Sequence, residues 1–145
     1  MPNDHHVNPE RAAFELFKNL PRDEPIWMLN LVRFRDRALY PAEHPDAALG
    51  LSGAEAYAEY GRTSLATAAR VGARIVWRGS MQVMLTGPAD ERWDTIFIAH
   101  YPTAGAFLAM VTDPHYRLAV VHRTAAVETS RLIRMQSLSL EGGFA

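Results

Sequence analysis

From Trp93 the chain reads Trp-Asp-Thr-Ile-Phe-Ile-Ala-His-Tyr, meets Pro102, and continues from Thr103 into an apolar segment broken by Asp113-Pro114. Proline has no N–H for a sheet ladder and holds its predecessor extended, so a strand over residues 93–101 must stop at Pro102 and a helix begins at Thr103. Asp113 followed by Pro114 reads as a cap with proline in the first turn, so a second helix starts at once.

The flanking segments extend this frame. The first seven residues read as a mobile tail, and Asn8-Pro9-Glu10 as the cap and first turn of a helix ending near Asn19. Residues 26–34 form a short apolar strand, and residues 36–51, with Pro41 and Pro45, an irregular excursion suited to a surface loop or a lid. Ser52-Gly53-Ala54-Glu55 is a Ser-x-x-Glu capping box whose helix runs to about Val71, with Gly72 as its stop. Residues 74–86 and 93–101 are predicted to pair as an antiparallel hairpin across the turn at 87–92, and residues 130–140 supply a last strand. The order is a helix and then βαββαβ, a ferredoxin-like α+β fold with a four-stranded antiparallel-type mixed sheet. One domain is expected over 25–140, preceded by a tail and helix at 1–24 and followed by a tail at 141–145.

Composition removes several function classes. A formal net charge of −1 gives no basic surface for a phosphate backbone, so no nucleic-acid partner is expected. No apolar run approaches the roughly 18 residues of a membrane span, and the polar start does not read as a signal peptide, so a cytoplasmic protein is expected. Without cysteine there is no thiolate nucleophile, disulfide, zinc-thiolate or iron–sulfur site. Phosphate-loop, dinucleotide, zinc-helix and nucleophile-elbow motifs are all missing, and His115 and His122, about 10 Å apart on one helical stripe, are too distant for one metal. No cofactor and no metal are expected.

Side-chain alternation sorts each strand into two faces. Trp27, Leu29 and Leu31 group with Phe97, Ala99 and Ile133 as an apolar face for the helices to cover. Met28, Asn30 and Val32 group with Arg78, Gln82, Ile98, His100 and Arg134 as a mixed face, too apolar for open water, that meets another surface. A hairpin turning about Ala89 sets Arg78 opposite His100 and Gln82 opposite Ile96. Beside a cation His100 stays neutral and can serve as a general base; Asn30 is expected on the adjoining parallel strand, and Arg78 and Arg134 can clamp a carboxylate or enolate. The alternative is that these groups satisfy one another across an interface. Tyr57 and Tyr60, three apart on the capped helix, border a pocket or pack within it. Arg123 shares a helical stripe with Tyr116, and either pairs with Glu128, reaches a ligand or compensates a helix dipole.

The chain resembles the domain-of-unknown-function 1330 family, placed among the dimeric α+β barrels. Asn30-Leu31 with Phe34, the Ser-Gly-x-Glu-Ala-Tyr run from Ser52 to Tyr57, Trp93-Asp94, Tyr101-Pro102 and Ala106-Phe107 carry the likeness. Met110, Asp113-Pro114, Tyr116, the run His122-Arg123-Thr124-Ala125-Ala126 and Ser130-Arg131-Leu132 continue it. The resemblance implies a homodimer through the sheet face, two sheets closing a barrel lined by the mixed face, and it implies no particular reaction. Two functions stay open. One is a cofactor-independent enzyme acting on a small anionic or carbonyl compound, with His100 as base and Asn30, Arg78 and Arg134 as stabilisers. The other is a non-catalytic metabolite-binding or structural homodimer.

Overall fold

A computed structural model describes residues 5–145; residues 1–4, the start of the expected mobile tail, lie outside the described residues. Helix α1 spans Arg11–Asn19, with Glu10 at its N-cap in place of the expected Asn8. The chain then enters β1, Ile26–Phe34, and makes the 36–51 excursion, which contains one 3-10 turn at Pro45–Leu49. Helix α2, Gly53–Arg70, opens on the capping box: Ser52 Oγ accepts from the Glu55 N–H at 3.0 Å while Glu55 Oε1 accepts from the Ser52 N–H at 2.9 Å. Glycine is required at position 53, because a Cβ there would lie 2.1 Å from the Arg35 carbonyl oxygen.

Strand β2, Arg74–Gly79, is followed after an irregular segment by β3, Thr95–Tyr101. Pro102 ends β3, and α3, Ala104–Val111, starts on the Thr103 hydroxyl, which accepts from the Ala106 N–H at 3.0 Å. Asp113 caps α4, Pro114–Ala126, and β4, Val127–Met135, completes the fold. The four strands run β2-β3-β1-β4, each neighbouring pair antiparallel. This is the ferredoxin-like βαββαβ order with one extra helix. The parallel neighbour expected for Asn30 is therefore an antiparallel one.

The expected barrel does not form. The sheet is open, with β2 and β4 as its two edges, and among the described residues no strand pair closes it. The strand expected over 74–86 ends at Gly79, where an added Cβ would meet the Trp77 ring at 2.6 Å, and residues 80–94 leave the ladder. The last strand likewise begins earlier than expected, directly on the end of α4, and stops at Met135.

The two faces of β1 are the reverse of the sequence assignment. Ile26, Met28, Asn30 and Val32 are buried, while Trp27, Leu29 and Leu31 alternate with them and are only partly covered. The reversal extends to β4 and not to β3: Asn30 pairs with Leu132 but also with Phe97, expected on the helix-covered face and found there, and Trp27 pairs with Met135 and with His100 on the other face. Both sets in β1 are apolar, so alternation marks two faces without saying which one the helices cover. Ile26, Met28, Ala99 and Tyr101 pack with Phe107 and Met110 in the main core, and Val32, Ala56, Ala126 and Val127 form a second cluster.

Candidate ligand-binding site

Helices α2 and α4 pack chiefly on each other, which leaves space between the helix layer and the sheet. That space holds two adjoining cavities. The first, about 930 Å³, lies beneath α1 and is bordered by β1, β4 and α4. The second, about 880 Å³, lies between α2 and the β2–β3 half of the sheet. Tyr60, Phe97, Ala99, Tyr101, Met110 and Tyr116 border both.

The polar groups in this apolar space are few and fixed. The Tyr60 and Tyr116 hydroxyls share a hydrogen bond of 2.8 Å, and the Tyr57 and Tyr60 rings lie 5.3 Å apart. Burial pushes the hydroxyls of Tyr57, Tyr60, Tyr101 and Tyr116 above the ordinary phenol range, so all four stay protonated. The Arg123 guanidinium beside Tyr57 tempers that rise. Arg123 is itself buried; it donates to the Val7 carbonyl and, at 3.2 Å, to Ser130 Oγ, which donates in turn to the His6 carbonyl at 2.8 Å. Asn30 is buried at the floor of the first cavity, its amide donating to the Met28 carbonyl at 3.0 Å.

The predicted site residues separate into three groups. Asn30, Tyr60, Arg123 and Arg134 border the first cavity, and Tyr57, Tyr60 and Arg78 border the second. His100 and Gln82 border neither. His100 lies on the opposite face of the sheet, its ring edge-on to Trp27 at 4.9 Å and its Nδ1 buried without a hydrogen-bond partner. Its β2 partner is Arg74: residues 80–94 leave the ladder, so the pairing is not centred on Ala89 and Arg78 falls opposite Phe97, and a bulge between Ile75 and Trp77 shifts the register by one more position. Gln82 is exposed in the segment that leaves the sheet.

Arg134 is engaged by α1, donating to the Phe17 carbonyl at 3.2 Å and to the Pro21 carbonyl at 2.6 Å, with its guanidinium 4.7 Å from the centre of the Phe17 ring. Glu128, a possible partner for Arg123, pairs instead with Arg33 at 3.2 Å. His5 and His6, read as mobile, are tied to β4: His5 Nδ1 lies 3.0 Å from the Glu128 carbonyl, and the His6 N–H donates to Thr129 Oγ1 at 3.2 Å. Asp94 supports the strand start, its carboxylate accepting from the Phe34 N–H at 2.7 Å.

Sequence reasoning passed over Tyr101, Tyr116 and Ser130 as site residues. The seven-residue spacing of Tyr116 and Arg123 was the available signal, since both lie on one stripe of α4 and both face the first cavity.

Residues 47–136 match the family described as Domain of unknown function (DUF1330). The chain belongs to the DUF1330 family. Two solved structures lie close to this DUF1330 chain. Methylated RPA0582 protein is 48% identical, with 95% of this chain and 98% of that chain covered and a TM-score of 0.88. RPA0582, a protein of unknown function from Rhodopseudomonas palustris, is 50% identical over 92% of this chain and 98% of that one, with a TM-score of 0.85. SnoaB, a cofactor-independent oxygenase from Streptomyces nogalater, is far more remote, 15% identical over 80% of this chain and 95% of that one with a TM-score of 0.48, and that likeness carries nothing about chemistry here. No curated protein matches the chain.

Proposed function

We propose that this DUF1330 protein binds a small, largely apolar molecule carrying a carbonyl or carboxylate group between its sheet and helix layers. The observation that carries this reading is one cavity of about 930 Å³ whose apolar walls converge on Asn30, the Tyr60–Tyr116 hydroxyl pair and Arg123. Ligand sites in general combine an apolar wall with a few placed polar groups. When two hydroxyls share one hydrogen bond, one proton remains to donate, so the tyrosine pair can bind a carbonyl oxygen and would also steady an enolate formed from it. His100 takes no part in this reading, because it lies across the sheet from the cavity.

The open face of the sheet suits a second copy of the chain. Trp77 is 55% exposed there and Ile133 45%, beside the unpartnered Nδ1 of His100. An apolar surface of this kind marks a contact.

The test is isothermal titration of aromatic ketones and carboxylates against the wild-type chain, Tyr60→Phe and Leu132→Trp. Leu132 borders the cavity and is 38% exposed, so tryptophan can fill space there without displacing the core. Binding should vanish in Leu132→Trp and weaken about three- to tenfold in Tyr60→Phe. Equal binding by all three proteins would place the ligand elsewhere.

A further inference from the structure

We propose that the second cavity is a carboxylate site, read by Arg78 with the Tyr57 hydroxyl as second donor, and that its ligand is a flat, apolar carboxylate. This rests on the interlayer reading above and names its ligand class. The bulge between Ile75 and Trp77 is what makes it possible: it shifts the pairing so that Arg78 opposes Phe97 and faces the cavity. Bulges of this kind re-aim a side chain at the edge of a sheet.

Charge around the mouth favours an anion. Arg33, Arg62, Arg70 and Arg92 each face a carboxylate, whereas the Arg78 guanidinium has no hydrogen bond or ion pair among the described residues. The acidic side chain bordering this cavity is Asp94, and it is already engaged, by the Phe34 N–H at 2.7 Å and by Arg92 at 3.7 Å. A free guanidinium fork matches a carboxylate through two parallel hydrogen bonds.

Tyr57 supplies the inner donor. Its hydroxyl stays protonated and borders the cavity, and Arg123 is spent on the Val7 carbonyl and Ser130 Oγ. Behind these two groups the walls are Tyr60, Phe97, Tyr101 and Tyr116, whose rings favour a planar hydrocarbon body.

The experiment compares 2-naphthoate with 2-naphthamide, matched in shape and different in charge, by isothermal titration on the full chain. Wild type should bind the carboxylate about tenfold more tightly than the amide, and added salt should weaken only the carboxylate. Arg78→Gln should erase the preference, Arg78→Lys should restore part of it, and Tyr57→Phe should lower carboxylate affinity about threefold. Arg78 is exposed on an edge strand, so thermal melting of its variants should match the wild type. Equal affinity for the two probes, or a preference unchanged in Arg78→Gln, overturns the carboxylate site and leaves the interlayer reading standing. Binding of neither probe overturns both.

Discussion

His122 shows how one side chain ties the irregular 36–51 segment to the helix layer. Its Nδ1 lies 2.6 Å from the Tyr40 hydroxyl and 3.7 Å from Asp46 Oδ2, and its ring meets His44 edge-on at 5.5 Å. Tyr40 stays protonated, because burial and the nearby Asp46 raise its pKa, so its hydroxyl and Nδ1 share one hydrogen bond. Burial holds His122 below the ordinary imidazole value; Asp46 and Glu59 oppose that shift, while His44 and Arg62 add to it. The unfolded chain therefore takes up its proton at a higher pH than the native one. Stability is full above the unfolded value of about 6.5 and is lost as pH falls from there through the lower native value. Urea unfolding measured from pH 7.5 to 5 should show this decline, and His122→Gln should flatten it. An unchanged slope in the variant would remove His122 from the cause. Sequence analysis counted His122 with His115 and tested only a metal for the pair. Its real partner Tyr40 lies 82 positions away, beyond the reach of local spacing.

Among the helices α1–α4, α1 alone has no buried residue. It covers the first cavity through Phe14 and Phe17, the latter ring 4.9 Å from Phe107. Its C-terminal end is secured by Arg134, which donates to the Phe17 carbonyl in the last turn and to the Pro21 carbonyl just beyond it. Arg134→Ala should cost about 1 kcal/mol locally and speed amide exchange across Arg11–Asn19 about fivefold while leaving β1 protected. Exchange that rises everywhere would mean a general loss of stability instead. The helix starts and stops were the most legible part of the chain, since Ser52, Thr103, Asp113 and Pro102 act through their immediate neighbours. Strand faces were not, because Ile-Trp-Met-Leu-Asn-Leu-Val is apolar on both sides and the choice is made by helices distant in sequence. The register of Arg78 was hidden for a related reason: residues 80–94 leave the ladder without a compositional mark, so the pairing is not centred on the turn at Ala89.

At the scale of the molecule, the sheet separates two surfaces with different chemistry. Asn30, Tyr60 and Arg123 face the helix side, and Trp27, Leu29 and Ile98 form a largely apolar face on the other. If that face holds a second copy, sedimentation equilibrium of the wild type should give a dimer and Ile98→Lys a monomer, because a lysine at the centre of such a contact would be desolvated without a partner. A wild-type monomer would remove the contact. The ferredoxin-like order was readable from the alternation of capped helices and apolar runs. The end of β2 at Gly79 was not, because a run of Val, Ile, Trp and Met does not announce where the strand leaves the ladder.

The sheet also sorts the chain's own chromophores. None of its three tryptophans borders either cavity: Trp27 and Trp77 pair across the strands with His100 and Ile98, and Trp93 lies 5.3 Å from the Arg131 guanidinium. Four of its five tyrosines, Tyr57, Tyr60, Tyr101 and Tyr116, border the cavities. The ultraviolet spectrum therefore carries two separate reports from an unlabelled sample: the Trp27 and Trp77 indoles sense events on the outer face of the sheet, and phenol absorption senses occupancy within.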